Sequence, residues 1–139
     1  MPLTRTLAAL VGTALLVACQ DAGQRSVALL EPGNSFAVVR IDGAAAPAGV
    51  TLDVGDGGRI TGAAPCNRYS GQLTQSGGVM TISAPVMTRR ACLDPALTMA
   101  ETRFGIALGS ITAARPATGG IALIDPEGRE RLGLVRAGR

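Results

Sequence analysis

The sequence predicts a mainly β domain (α+β) with one α-helix. Three observations carry this reading. Nineteen glycines punctuate the chain, as expected for many turns and short strands rather than long helices. Between those breaks lie short runs rich in Val, Ile and Thr, residues that suit a pleated, half-buried surface. One stretch alone in the mature chain, after Asp94-Pro95, repeats apolar residues at helical spacing. At 139 residues the chain is the length of one domain. Its 47% apolar content is enough for a core rather than a disordered chain. Phe36, Tyr69 and Phe104 are its only aromatic residues, so Val, Ile, Leu and Ala must fill that core.

Residues 1–18 read as a secretory leader. Arg5 supplies the charged start, and Leu7 to Val17 form an apolar run of 11 residues, too short to span a bilayer. The run ends in Leu16-Val17-Ala18-Cys19, which resembles a bacterial lipoprotein signal. Cys19 is then the lipidated (palmitate-type) N-terminus left after cleavage. The competing reading is an ordinary signal peptide with an incidental Cys. Gln20 follows Cys19, where Asp would favour inner-membrane retention, so the expected location is the periplasmic face of the outer membrane. Residues 19–34 read as a tether, with Val27 to Leu30 docking as a short strand and Pro32-Gly33-Asn34 closing the segment as a turn.

The domain is expected over residues 35–136. Ser35 to Gly43 is a strand by its β-branched content. Val50 to Val54 and Gly58 to Thr61 are the next two, joined through Asp56-Gly57, a dipeptide that favours the positive φ of a tight turn. Two carboxylates beside glycines raise the idea of calcium, but the distal Glu of an EF-hand loop is missing, and a plain turn is expected. Ser70 to Thr74 and Val79 to Ser83 form a second hairpin around Gly77-Gly78. Ala84 to Thr88 is extended, with Pro85 marking an edge or a strand start.

The helix starts at Asp94-Pro95, since Asp caps free amides and Pro suits the first helical position. Gly109 is expected to end it as a C′ glycine. Leu97, Ala100, Phe104 and Leu108 define the expected buried face, and Glu101 falls inside that stripe, where a charge must be paired or sit at the edge; Asn67, nearby backbone amides or Arg68 are its expected partners. Ile111 to Arg115, Gly120 to Ile124 and Arg131 to Val135 are the last strands. Pro116 to Gly119 and Asp125 to Gly128 are the turns between them.

Composition excludes several function classes. The sequence contains no His, which removes Ser-His-Asp and Cys-His nucleophile systems and every His-ligated metal site. All basic residues are Arg, and the net charge is only +3. These arginines are scattered apart from Arg89-Arg90, too weak a footprint for nucleic acid. Besides Cys19 there is one cysteine pair, Cys66 and Cys92. In an oxidising compartment the pair is expected to form a disulfide; two buried free thiols are the alternative. Two thiols make a poor metal site by themselves, so no metal and no cofactor is expected.

Gly62, Cys66, Asn67, Tyr69 and Gly71, then Thr88, Ala91 and Cys92, then Met99, Glu101 and Phe104 carry a resemblance to the META domain (HslJ-like) family. It spans about Phe36 to Val135. Pro65 departs from the pattern, which has Gly before Cys-Asn; Arg90 replaces a Met, and Phe36 stands where the family has Trp. The resemblance implies an antiparallel curved sheet or incompletely closed β-barrel with one packed helix. It implies no catalytic residues, and an association with envelope stress tolerance, secretion or motility. Gly62, Asn67, Tyr69, Gly71, Thr88, Glu101 and Phe104 are accordingly read as scaffold.

Three functional classes follow. The first is a lipid-anchored envelope domain that binds or protects an envelope protein or lipid partner, with Arg68, Arg89 and Arg90 as its basic patch. Its bland counterpart has one of these arginines paired with Glu101 and the others solvated. The second is an open-barrel carrier of an apolar ligand, as the family's likeness to secretin pilotins suggests. The third is a hydrolase using Glu101 with Asp53 or Asp94, which needs two carboxylates facing one cleft.

Overall fold

The structure is a computed structural model that describes residues 28–83 and 85–138. The leader, Cys19 and the first part of the tether lie outside the described residues. Residues 28–30 form no strand. Leu30 nevertheless lies in the core at 1% exposure, so the packed unit reaches upstream of the first strand.

The strands are β1 (Ser35–Ile41), β2 (Ala44–Ala45), β3 (Thr51–Val54), β4 (Arg59–Ala63), β5 (Arg68–Ser76), β6 (Val79–Ile82), β7 (Val86–Met87), β8 (Ala113–Ala117), β9 (Gly120–Ile124) and β10 (Glu130–Arg136). The helix α1 spans Pro95–Gly109. Neighbouring strands run in the order β6-β5-β4-β3-β1-β10-β9-β8, with β2 added to β1 and β7 to β5. Every pairing is antiparallel. The two ends of this order meet: the Met80 N–H of β6 donates to the Thr112 carbonyl just before β8 at 2.9 Å. The sheet is therefore a nearly closed barrel.

The glycine turns explain the short strands. Gly77 and Gly78 both have positive φ between paired Ser76 and Val79, giving a two-residue hairpin. Asp42 and Gly43 do the same between β1 and β2. That Asp-Gly signal was legible in the sequence, yet β2 was not expected. The Asp56-Gly57 connection is a single 3-10 turn, Asp56–Gly58, with positive φ at Gly57. Pro116 lies inside β8 rather than in a turn; β8 ends the strand order, so its missing N–H breaks no ladder bond.

The interior is filled by apolar side chains, among them Phe36, Leu52, Ile60, Met80, Leu123, Leu132 and Leu134, each at most 1% exposed. Phe36 thus serves as a core anchor in place of Trp. Helix α1 contributes Phe104, Ala107 and Leu108. Leu97 and Ala100, expected on the same buried face, are only half-buried. The first half of the helix faces the β4–β5 turn through Glu101 rather than the barrel interior. Asp94 caps the start as expected, accepting from the Ala96 N–H at 2.8 Å. At the other end Gly109 is the last helical residue and not a left-handed C′. Ser110 closes the helix in right-handed geometry, its N–H and hydroxyl both donating to the Ala107 carbonyl.

Candidate functional site

Most of the motif residues gather where three pieces of chain meet: the β4–β5 turn, the segment from Thr88 to Cys92, and the first half of α1. Two backbone N–H groups of the turn, those of Cys66 and Asn67, donate to Glu101 Oε2 at 2.8 Å each. Asn67 Nδ2 donates to Glu101 Oε1 at 2.6 Å and to the Arg90 carbonyl at 3.3 Å. Asn67 Oδ1 accepts from the Thr88 hydroxyl at 2.8 Å and from the Arg90 N–H at 2.7 Å. Every donor and acceptor of the Asn67 carboxamide is used, as a buried amide requires. Thr88 also accepts from the Arg68 N–H at 3.1 Å and donates its own N–H to the Arg68 carbonyl at 3.0 Å. Glu101 is therefore a half-buried structural acid held by N–H donors. Of the expected partners, Asn67 and the backbone amides hold it, and no guanidinium pairs with it among the described residues.

A disulfide joins Cys66 and Cys92, with their Cα atoms 5.8 Å apart. It clips the turn to the same segment that Asn67 holds. The two sulfurs and a Glu101 carboxylate oxygen lie within 4.8 Å of one another. Bonded to each other, those sulfurs offer no thiolate to a cation. Pro65 sits in the turn without strain: no residue from 64 to 67 has positive φ. The Ala64 N–H donates to the Asn67 carbonyl at 2.6 Å.

The aromatic part of the motif lies beneath. Tyr69 stands directly opposite Gly62 across β4 and β5. A Cβ on Gly62 would collide with the Thr51 carbonyl and come within 2.9 Å of the Tyr69 ring. The bare glycine lets the ring lie flat across the strand, so its hydroxyl donates to the Thr51 carbonyl at 2.8 Å. The ring meets Phe104 edge-to-face, centroids 5.0 Å apart. Burial, with the nearby Asp53 charge adding, pushes the Tyr69 phenol well above its ordinary range, so it stays a neutral donor. Gly71 lies further along β5 opposite Ile60 and takes no part in the junction. Met99, also in the matching set, is 57% exposed.

Arg68, Arg89 and Arg90 are all exposed, and none has an ion-pair partner among the described residues. Their backbones are tied together through Thr88 and Asn67, so the structure brings the three to one region. Of the carboxylates considered for hydrolysis, Glu101 is held by the junction and Asp94 caps the helix, while Asp53 stands on β3 between Ser35 of β1 and Thr61 of β4. A groove of about 430 Å³ runs between β7 and α1, lined by Pro85, Met87, Thr98, Glu101, Thr102, Gly105 and Ile106. It is an open surface feature, not the enclosed apolar cavity that a carrier needs.

Sequence reasoning missed a second polar cluster. Asp125 is 3% exposed. It accepts from the Glu127 and Arg129 N–H groups and from Arg129 Nε. Burial works against its charge, but these bonds and the Arg129 guanidinium outweigh it and hold the carboxyl below its usual range. Arg131 bridges Asp125 to Asp42, and Arg40 pairs with Glu130 through two bonds. The Asp-Pro-Glu-Gly turn was the available signal, since Asp caps its own turn in this way.

The META domain model matches residues 28–137. No curated protein matches the chain. Two solved structures are similar in fold. One, an NMR structure of a protein from Burkholderia xenovorans, shares 20% identity over 100% of both chains, with a TM-score of 0.58. The other, also an NMR structure, shares 21% identity over 73% of this chain and 87% of its own, with a TM-score of 0.56.

Proposed function

The chain belongs to the META domain family, and from that premise we propose that it is a lipid-anchored cell-envelope domain with a binding or protective role rather than an enzyme. The observation that carries the proposal is the leader: a short apolar run ending in Leu16-Val17-Ala18-Cys19. With Gln20 next, Cys19 tethers the domain to the periplasmic face of the outer membrane. The binding role rests on the junction. Its polar groups are bonded to one another, as in a scaffold, and the guanidiniums of Arg68, Arg89 and Arg90 have no ion-pair partner among the described residues. These face an envelope protein or lipid partner, and a short tether raises the effective concentration so that modest contacts suffice.

The anchor is tested by detergent phase partitioning of the wild type and Cys19→Ala. Wild type is expected in the detergent phase and the variant in the aqueous phase. Equal aqueous partitioning of both rejects the anchor. In-cell crosslinking with pull-down, comparing wild type with Arg89→Ala/Arg90→Ala, tests the partner face. Crosslinks that survive the double variant reject it.

A further inference from the structure

The segment from Val86 to Leu93 combines two features. Val86 is 74% exposed and Leu93 is 99% exposed. Between them lie Arg89 and Arg90, exposed and without ion pairs among the described residues. The pattern is apolar, cationic, cationic, apolar along one stretch.

This stretch is also held rigidly. Met87 points toward the helix, its methyl lying 3.4 Å from where a Gly105 Cβ would sit, which turns Val86 outward on the two-residue strand. Thr88 is bonded to Arg68 and Asn67, the Arg90 backbone to Asn67, Cys92 to Cys66, and Asp94 to the first turn of α1. The even-numbered positions are fastened, and Arg89, Ala91 and Leu93 between them are exposed. A single exposed Leu is ordinary. A Leu whose chain is tied on both sides, at Cys92 and Asp94, has already met the backbone part of the ordering cost of a contact.

We infer that residues 86–93 are a docking surface for an anionic lipid bilayer, with Arg89 and Arg90 on headgroup phosphates and Leu93 inserted at the acyl boundary. Charge complementarity and shape favour this occupant. Arginine forks match phosphate oxygens, and a protruding Leu, lining none of the grooves found among the described residues, suits a fluid surface that closes around it. The inference rests on the envelope-tether reading for its biological setting. Only eight residues separate Cys19 from Ala28, the first described residue, at most about 30 Å of extended chain, so a lipidated Cys19 holds the domain within reach of headgroups.

The sequence contains no Trp, so Leu93→Trp supplies a single fluorescent reporter at the proposed insertion point. Leu93 is fully exposed, and its substitution should leave the melting temperature unchanged. The experiment uses the full chain carrying Cys19→Ala, so that no lipid anchor contributes and failure of the anchor reading stays separate. Vesicles of equimolar phosphatidylglycerol and phosphatidylcholine should shift the emission to the blue. Arg89→Ala/Arg90→Ala in the same background should need about thirtyfold more lipid for the half-maximal shift, about fivefold per arginine. Added salt should weaken the parent and affect the double variant less. No blue shift overturns the proposal. So does a shift equal on pure phosphatidylcholine, or unchanged by removing both arginines. A shift with polyglutamate but not with vesicles also overturns it and assigns the surface to an acidic protein partner.

Discussion

Removing the Glu101 carboxylate tests the reading of the junction. Glu101→Ala strands three donors at once: the Cys66 and Asn67 N–H groups and Asn67 Nδ2. A buried donor left without an acceptor costs about 1–3 kcal/mol. Cys66 is half-exposed, so water can reach its amide. Asn67 is 6% exposed, so its two donors bear most of the penalty. The net loss is therefore about 2–4 kcal/mol, or about 8–16 °C in melting temperature for a domain of this size. Glu101→Gln should lose about half as much. Its carbonyl oxygen can serve the two backbone amides, but its NH2 then opposes Asn67 Nδ2. Asn67 cannot answer by flipping, because Oδ1 is already bonded to Thr88 and Arg90. Thermal unfolding of wild type and both variants under non-reducing conditions measures the effect. An unchanged midpoint for Glu101→Ala refutes the structural role and returns Glu101 to the functional surface.

The Cys66–Cys92 bridge should block both sulfurs to alkylation without reduction, as read by mass spectrometry; opening this loop should cost about 3–4 kcal/mol by denaturant unfolding. Gly62→Ala should destabilise by about 1–3 kcal/mol, because its Cβ meets the Thr51 backbone and the Tyr69 ring. Gly71→Ala should cost less, because its closest neighbour is the Ile60 side chain at 3.3 Å, which can move; equal losses would defeat the comparison. The Asp125 carboxyl titrates lower in the fold than in the unfolded chain. Its stabilising contribution is thus present above the unfolded value of about 3.9 and is lost as pH falls through the lower folded value. Wild type should lose melting temperature more steeply than Asp125→Asn below about pH 4, and parallel profiles would reject the role given to this turn.

Most strands and the helix start were legible in the sequence for local reasons, whereas the barrel was an implication of the family resemblance. Gly77-Gly78, Asp94-Pro95 and Asp125 to Gly128 each fix a backbone conformation through their own chemistry. What stayed hidden depends on distant partners. Helical spacing placed Glu101 in the stripe of Leu97, Phe104 and Leu108, but the stripe changes its surroundings halfway along the helix. Phe104 and Leu108 enter the core, while Leu97 is only half-buried and Glu101 lies over the β4–β5 turn. Asn67 and the backbone amides were within reach of sequence reasoning as partners of Glu101. That they would satisfy it without an arginine was not, because the choice depends on which donors the turn aims at the helix. Asp125 escaped notice because Asp42, which Arg131 links to it, is far from the turn in sequence.

The division of the helix explains why a polar junction sits at this point. Pro95 to Glu101 bury no apolar side chain fully, and Met99 points to solvent. Hydrophobic packing alone would therefore leave the first two turns free to pivot about Phe104. Hydrogen bonds are directional where apolar contacts are not. The three donors on Glu101 fix the helix to the turn in one register, and the disulfide fixes the turn to residues 88–92. The segment carrying Arg89, Arg90 and Leu93 thereby inherits its shape from Glu101, though none of these three side chains touches it. Glu101→Ala should then speed amide exchange at Thr88 and Arg90, whose N–H groups are bonded to Arg68 and Asn67, and leave β9 and β10 protected. Uniform acceleration across the barrel would mean that Glu101 supports the whole fold and not this segment in particular.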